Sequence, residues 1–182
     1  VFPIIILING AFGVGKTTTA KKLNQLIPNS IIFDPENIGY LLRELVPENM
    51  RQEHERTGDF QDFDLWKILT VQVATMIKNK YNKTLIVPMT IYKKENFTYI
   101  FNQLKDLDKD TYHFCLTANE KTIHARLLKR GEDEGNWSFQ QTNKCVEAFQ
   151  EDLFEEKIIT DTISSDEVVQ IISSRVKENI GV

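Results

Sequence analysis

The stretch ILINGAFGVGKTTTA, Ile6–Ala20, decides the fold. The apolar run Ile4–Ile8 is continuous and branched, as expected of a strand buried on both faces. It stops at a cluster of glycines, and a lysine and three threonines follow. Gly10, Ala11, Phe12, Gly13, Val14, Gly15, Lys16 and Thr17 match G-x-x-x-x-G-K-[ST] at every fixed position. Glycines let the main chain wrap so that several N–H groups face one anion. A helix beginning at Lys16 would add its unpaired N–H groups and the positive end of its dipole. From there Lys16 reaches β- and γ-phosphates, the Thr17 hydroxyl reaches Mg²⁺, and Thr18 is one step from an α-phosphate. The motif points strongly to a nucleotide and says little about the reaction.

Working outward, 182 residues with 41% hydrophobic content suit one domain spanning 1–182. The formal charge, 22 − 26 = −4, lacks the basic footprint of a nucleic-acid binder. Cys115 and Cys145 lie far apart with no C-x-x-C, and no signal peptide is evident, so a reducing, cytoplasmic setting is expected. Ile4–Ile8 is too short for a membrane span. His54, His113 and His124 are isolated in sequence, without metal-ligand spacing, and are expected to be structural or surface groups.

Beyond the glycine loop, short β-rich runs alternate with helical patterns. Strands are expected over Ile4–Ile8, Ser30–Phe33, Thr84–Val87, Tyr112–Thr117 and Lys157–Thr160. Helices are expected over Lys16–Leu26, Glu36–Leu45, Leu65–Lys80, Lys93–Leu107, Glu120–Lys129 and Ser138–Asp152. In the third of these, Leu65, Ile68, Leu69, Val73, Met76 and Ile77 form the apolar spacing. Ser164 to Glu167 is a capping-box pattern opening a last helix. Met50–Asp64 is polar and reads as a loop. Five strands separated by helices imply right-handed βαβ units, hence a three-layer α/β/α domain around a parallel five-stranded sheet.

The reaction has to come from other residues. No N-K-x-D base-reading motif is present, and the third strand ends Val87-Pro88-Met89-Thr90 without a carboxylate. A small-molecule kinase needs less: an acid near the acceptor hydroxyl and cations over the transferring phosphoryl group. Asp34 ends the second strand at the carboxyl edge of the sheet, where open α/β sheets bind ligands. It could accept a substrate proton, hold Mg²⁺ through water, or cap the following helix. Arg126 and Arg130 share a helix face and precede the glycine-bracketed turn Gly131–Gly135, which could hinge as a lid over about 131–140. Arg43 could hold an anionic or polar substrate group. Phe60, Phe63 and Trp66 surround Asp59, Asp62 and Asp64, as core or as a stacking grip on a sugar or base, Trp66 being the substrate-binding candidate. Asp62 and Asp64 could equally cap the helix near Leu65. Trp137 could be an apolar lid contact or packing.

The segments INGAFGVGKT, FDPENIGYLLRELVP, DFQDFDLWK, LIVPMTI, HFCLTANEKTIHARLLKR, NW and IITD, taken in order, resemble bacterial tunicamycin-resistance proteins. The similarity runs from about residue 4 to about residue 162. These are P-loop proteins of the nucleotide-, shikimate- and gluconate-kinase-like class. The resemblance implies a sheet with the P-loop strand at its centre, ATP with Mg²⁺, and a small-molecule acceptor. It implies that Asp34 faces the acceptor hydroxyl, that Arg126 and Arg130 contact adenine and phosphate, and that Thr160–Thr162 passes the adenine edge. One departure is that many kinases of the class carry more arginines in the lid, whereas this lid is acidic. Two functions follow: phosphorylation of a nucleoside- or sugar-like compound, antibiotic or endogenous, or sequestration of an antibiotic without phosphotransfer.

Overall fold

The structure is a computed structural model that describes residues 3–180. The strands are β1 (Ile5–Gly10), β2 (Ser30–Ile32), β3 (Thr84–Pro88), β4 (Thr111–Thr117) and β5 (Lys157–Ile159). The α-helices are α1 (Lys16–Leu26), α2 (Glu36–Leu45), α3 (Asp64–Tyr81), α4 (Lys94–Leu107), α5 (Glu120–Lys129), α6 (Trp137–Ala148) and α7 (Ser165–Ile180). All strand pairs are parallel, in the order β2-β3-β1-β4-β5. The P-loop strand is therefore central, and Ile5, Ile6, Leu7 and Ile8 are fully buried. That explains its uninterrupted apolar run, since helices cover both faces.

β1 connects leftward to β2, while its neighbour β3 connects rightward to β4. With right-handed crossovers this sends α1 to one face and α3 and α4 to the other. It also opens a crevice at the carboxyl ends of β1 and β3, the switch point where such sheets bind ligands. α7 packs beside α1, where Lys22 of α1 pairs with Asp166 at 2.7 Å. The capping box forms as the sequence predicts: Ser164 N donates to Glu167 Oε2 (2.7 Å), and Glu167 N donates to Ser164 Oγ (3.2 Å). Among the described residues no helix is long and apolar enough to cross a membrane.

Three expectations change. α3 packs only part of its expected stripe: Leu69, Val73 and Ile77 lie partly buried against the core, Leu65 and Met76 are exposed, and the fully buried positions are Trp66, Thr70, Val71, Ala74 and Lys78. Of the two polar members, Lys78 is carried by long-range partners, its Nζ donating to the Pro3 carbonyl (3.0 Å) and pairing with Asp108 (2.7 Å), whereas the Thr70 hydroxyl has no partner among the described residues. The stretch from Met50 to Asp64 is an ordered path through three 3-10 turns, with Glu55, Asp59 and Gln61 buried. Its anchors are distant, for Gln61 Nε2 donates to the Thr90 carbonyl (3.2 Å) and Asn96 Nδ2 donates to the Gln61 carbonyl (2.8 Å). Finally, α6 stops at Ala148, and a separate 3-10 turn covers Asp152–Phe154.

Candidate active site

The P-loop leaves β1 through Gly10, whose φ of +142° and crowding both require glycine. A Cβ there would sit 2.4 Å from the Leu116 carbonyl oxygen. The loop is clamped from beneath. Asn9 Oδ1 accepts from Gly10 N (2.9 Å) and Ile91 N (2.8 Å), Asn9 Nδ2 donates to the Ile91 carbonyl (2.9 Å), and Thr90 Oγ1 donates to the Gly10 carbonyl (2.8 Å). At the far end α1 begins directly at Lys16, with no side chain capping its N–H groups. These amides point where an anion would lie.

The loop fits a polyphosphate on two counts. Its backbone leaves the sterically normal region at Gly10, Gly13 and Gly15, which makes the cradle. Lys16 Nζ donates to the Ala11 carbonyl of its own loop (2.8 Å), and burial lowers its pKa to about 8 against the opposing pull of Glu36. A desolvated ammonium held by a carbonyl and the Phe12 ring gains from an incoming phosphate. Thr17 and Thr18 are both exposed at the mouth, and Thr17 lines the adjoining cleft.

That cleft has a volume of about 830 Å³ and brings Lys16, Thr17, Asp34, Glu36, Arg43 and Arg130 together. Of the roles the sequence allows Asp34, the structure shows the capping one: its Oδ1 accepts from Glu36 N (2.9 Å) in the turn that starts α2. Among the described residues Oδ2 has no partner, and the carboxylate borders the cleft. Burial raises its pKa, against the Glu36 N–H bond and Lys16, which favour the anion. Glu36, which sequence reasoning passed over as part of the helix start, is a second carboxylate there. Its pKa is raised by burial and by Asp34, and lowered by Lys16 and Arg130. The Asp-Pro-Glu spacing was the available signal, since two residues apart around a strand-end turn both carboxyls meet the P-loop lysine.

The arginine pair separates. Arg130 lines the cleft and pairs with Glu132, which also accepts from Asn136 Nδ2 (2.8 Å). α5 ends there in a Schellman turn, with Glu132 N donating to the Leu127 carbonyl (3.1 Å) and Gly131 at φ +86°. Arg126 is not brought into the cleft. Its guanidinium donates to the Val14 carbonyl (3.3 Å), Thr160 Oγ1 (2.8 Å) and the Thr160 carbonyl (2.5 Å), joining the P-loop to the end of β5.

Trp66 requires a correction. It is 0% exposed, and its indole N–H donates to the Pro35 carbonyl (3.0 Å), so it touches no substrate. It braces the turn that carries Asp34 instead, because a buried indole N–H needs a partner. Phe63 is likewise core, whereas Phe60 lines the cleft. Asp62 and Asp64 do not cap α3. Asp62 holds Lys93 and Thr57, Asp64 pairs with His54 (3.0 Å), and the Glu55 carboxylate accepts from Asp64 N (3.1 Å). His54 is thus not isolated in space, as it shares a small cluster with Glu55 and Asp64. Trp137, 37% exposed, is a roof contact: it meets the Phe12 ring edge-on at 4.9 Å and closes over Gly58. The segment 131–140 is a short turn followed by the first residues of α6. Cys115 and Cys145 are buried, and desolvation pushes both thiols up to about 12, so neither is a nucleophile.

A model of the AAA domain family AAA_18 matches residues 6–161. The chain belongs to that family. Among solved structures, the tunicamycin resistance protein of Deinococcus radiodurans matches this AAA_18 chain with a TM-score of 0.78 and 29% identity, over 96% of this chain and 95% of that one. A gluconokinase of Sinorhizobium meliloti matches with a TM-score of 0.66 and 14% identity, over 99% and 95% of the two chains. An APS kinase of Mycobacterium tuberculosis, solved with AMPPNP and APS, matches with a TM-score of 0.63 and 14% identity, over 97% and 98%. The last two share the fold. No curated protein matches the sequence. The chain is a P-loop, kinase-like nucleotide-binding protein, similar to a tunicamycin resistance protein.

Proposed function

We propose that the chain transfers the γ-phosphoryl group of ATP to a hydroxyl of a small nucleoside- or sugar-like molecule, tunicamycin-type antibiotics among them. One observation carries this reading: the Asp34 carboxylate, with one oxygen unpartnered, shares a single cleft with Lys16 and Thr17 of the phosphate cradle. The acceptor oxygen bonds to the γ-phosphorus, the bond to the β,γ-bridging oxygen breaks, and ADP leaves. Asp34 takes the hydroxyl proton, and burial raises its basicity for that task. Lys16 leaves the Ala11 carbonyl for the β- and γ-phosphates, and Arg130 approaches the transferring group from the end of α5. Arg126 and Thr160 position the adenine side of the P-loop. The Thr17 hydroxyl and the Asp34 carboxylate, both hard oxygen donors, would hold a Mg²⁺ ion, which would neutralise phosphate charge.

A second reading, sequestration of the acceptor without phosphotransfer, is favoured by the composition of the 131–136 turn. It carries Glu132, Asp133 and Glu134, and Glu132 already neutralises Arg130. Incubation with Mg-ATP and tunicamycin, uridine, UMP, N-acetylglucosamine or glucose 6-phosphate, followed by mass spectrometry, decides between them. A kinase yields one added phosphate and stoichiometric ADP, and Asp34→Asn lowers turnover by about a hundredfold or more while AMPPNP affinity is kept. ATP binding without any phosphorylated product, and protection of cells undiminished in Asp34→Asn, would reject phosphotransfer.

A further inference from the structure

The wall of the cleft formed by α2 and the segment between α2 and α3 holds three arginines that the phosphate chemistry does not use. Arg43 lies over the Phe60 ring with its guanidinium carbon 4.1 Å from the centroid, and its Nη2 donates to the Gly58 carbonyl at 2.5 Å. Arg51 donates from Nε to the Val46 carbonyl and from Nη2 to the Arg43 carbonyl, both at 2.9 Å, and lies 5.2 Å from the Phe63 centroid. Arg56 Nε donates to the Arg51 carbonyl at 3.1 Å. All three line the cleft that holds Asp34.

Among the described residues none of the three has a carboxylate within 4.0 Å, although Arg130 and Arg175 each have one. Glu48 lies on the same wall and pairs with none of them. Carbonyls and aromatic faces therefore hold three guanidinium groups in place without neutralising them. Like charges held together in a partly desolvated cleft favour an anion strongly. Because the Arg43 and Arg51 guanidinium planes are already fixed by carbonyl bonds and ring contacts, little side-chain entropy is lost there on binding. A single carboxylate would leave two positive charges over, whereas a phosphate monoester matches the charge and the fork geometry better. Tyr40, 56% exposed and edge-on to Phe60 at 4.9 Å, offers a ring face beside the arginines.

We propose that this half of the cleft is an oxyanion site, and that the acceptor carries a phosphate monoester of its own, as a nucleoside monophosphate or a sugar phosphate does. The word acceptor rests on the kinase reading; the anion site does not. The test is calorimetry with Mg-AMPPNP first bound, so that the P-loop is filled. The protein is then titrated with UMP against uridine, and glucose 6-phosphate against glucose. The phosphorylated member of at least one pair binds about tenfold tighter or more, and the preference weakens with added salt. Arg56→Gln, at an exposed side chain with one carbonyl bond, reduces that preference about tenfold and leaves the neutral member unchanged. Arg51→Gln does the same, with circular dichroism to verify folding. Equal binding within both pairs, no binding of either phosphate ester, or a preference intact in both variants overturns the anion site. Failure of AMPPNP to bind sinks the kinase reading alone, because the titrations repeated in Lys16→Ala report the arginine wall without a phosphate-binding P-loop.

Discussion

Gly39→Ala sets two effects of opposite sign against each other in α2. Alanine for glycine inside a helix is worth about 1 kcal/mol of stability. Gly39 is glycine for space rather than for backbone conformation. A Cβ there would lie 2.2 Å from Phe60 Cγ, 2.3 Å from Cδ1 and 2.6 Å from Cδ2. The ring must retreat by roughly 1 Å or more before ordinary contact is restored, an overpacking that costs about 1–3 kcal/mol. As it retreats it loosens the edge-on pair with Tyr40, worth about 0.5–1.5 kcal/mol, and the Arg43 contact, worth about 0.5–1 kcal/mol. The losses win. The variant is expected to be less stable by about 1–2 kcal/mol, lowering Tm by roughly 2–8 °C in a chain of this size. The functional effect is selective, because Arg43 loses the face it rests on while the P-loop is untouched. Differential scanning fluorimetry and paired titrations with AMPPNP and UMP read both effects. A variant that melts higher and binds UMP as tightly as the wild type would show that the Gly39–Phe60 contact does not shape the arginine wall.

The remaining predictions concern protons and support. Lys16, lowered to about 8 by burial, regains a higher pKa when phosphate pairs with it, so Mg-AMPPNP binding near pH 8.5 should take up protons. Calorimetry in two buffers of different ionisation enthalpy measures that uptake, and Lys16→Met should abolish it. Trp66→Phe removes the indole bond to the Pro35 carbonyl, which keeps its bonds from Ile38 N and Gly39 N; it should lose about 0.5–1.5 kcal/mol in denaturant and lower kcat more than it weakens AMPPNP binding. His113 is buried, its Nδ1–H donating to the Glu155 carbonyl (2.6 Å), and burial lowers its pKa to about 4. The fold holds the ring neutral, so the unfolded chain binds the extra proton between its own pKa near 6.5 and about 4. Stability is therefore complete above pH 6.5 and falls by on the order of 3 kcal/mol as pH drops to 4, a slope that His113→Gln should remove in urea titrations.

What the sequence made legible was local. Gly10–Thr17 is one contiguous motif between a strand and a helix, so the cradle and the central strand follow from neighbours in the chain. Asp34 was visible because it closes a strand at a known edge of the sheet. Of the arginine wall only Arg43, on α2, stood out; Arg51 and Arg56 did not, because the chain from Met50 to Asp64 has no period of its own. Its order comes from Asp59 accepting the Tyr92 hydroxyl (2.6 Å), from Gln61 on the Thr90 carbonyl and from Asn96 on the Gln61 carbonyl, all made more than 25 residues away in sequence. Arg51 and Arg56 therefore looked like loop surface. The face of α3 was legible only in part: Leu69, Val73 and Ile77 do pack on the core, but Thr70 and Lys78 are buried beside them, Lys78 being held by Pro3 and Asp108 from outside the helix.

The end of β3, where a carboxylate would sit in a mechanical ATPase, has a different use here. Thr90 and the Asn9–Ile91 pair form a neutral clamp that fixes the entry of the P-loop. A charge placed there would be buried beneath the phosphates with no cation of its own. The negative charge of the site is instead at the start of α2, in Asp34 and Glu36, and both feel Lys16. That start is fixed by Trp66 through Pro35, and the same helix continues through Gly39 and Arg43 to the arginine wall. One rigid element therefore carries the proposed proton acceptor just before its N-terminus and the proposed anion-binding Arg43 about two turns later. On those two proposals the spacing between reacting hydroxyl and anchoring anion is set by a helix rather than by a mobile loop, which is how a site selects an acceptor by length as well as by charge.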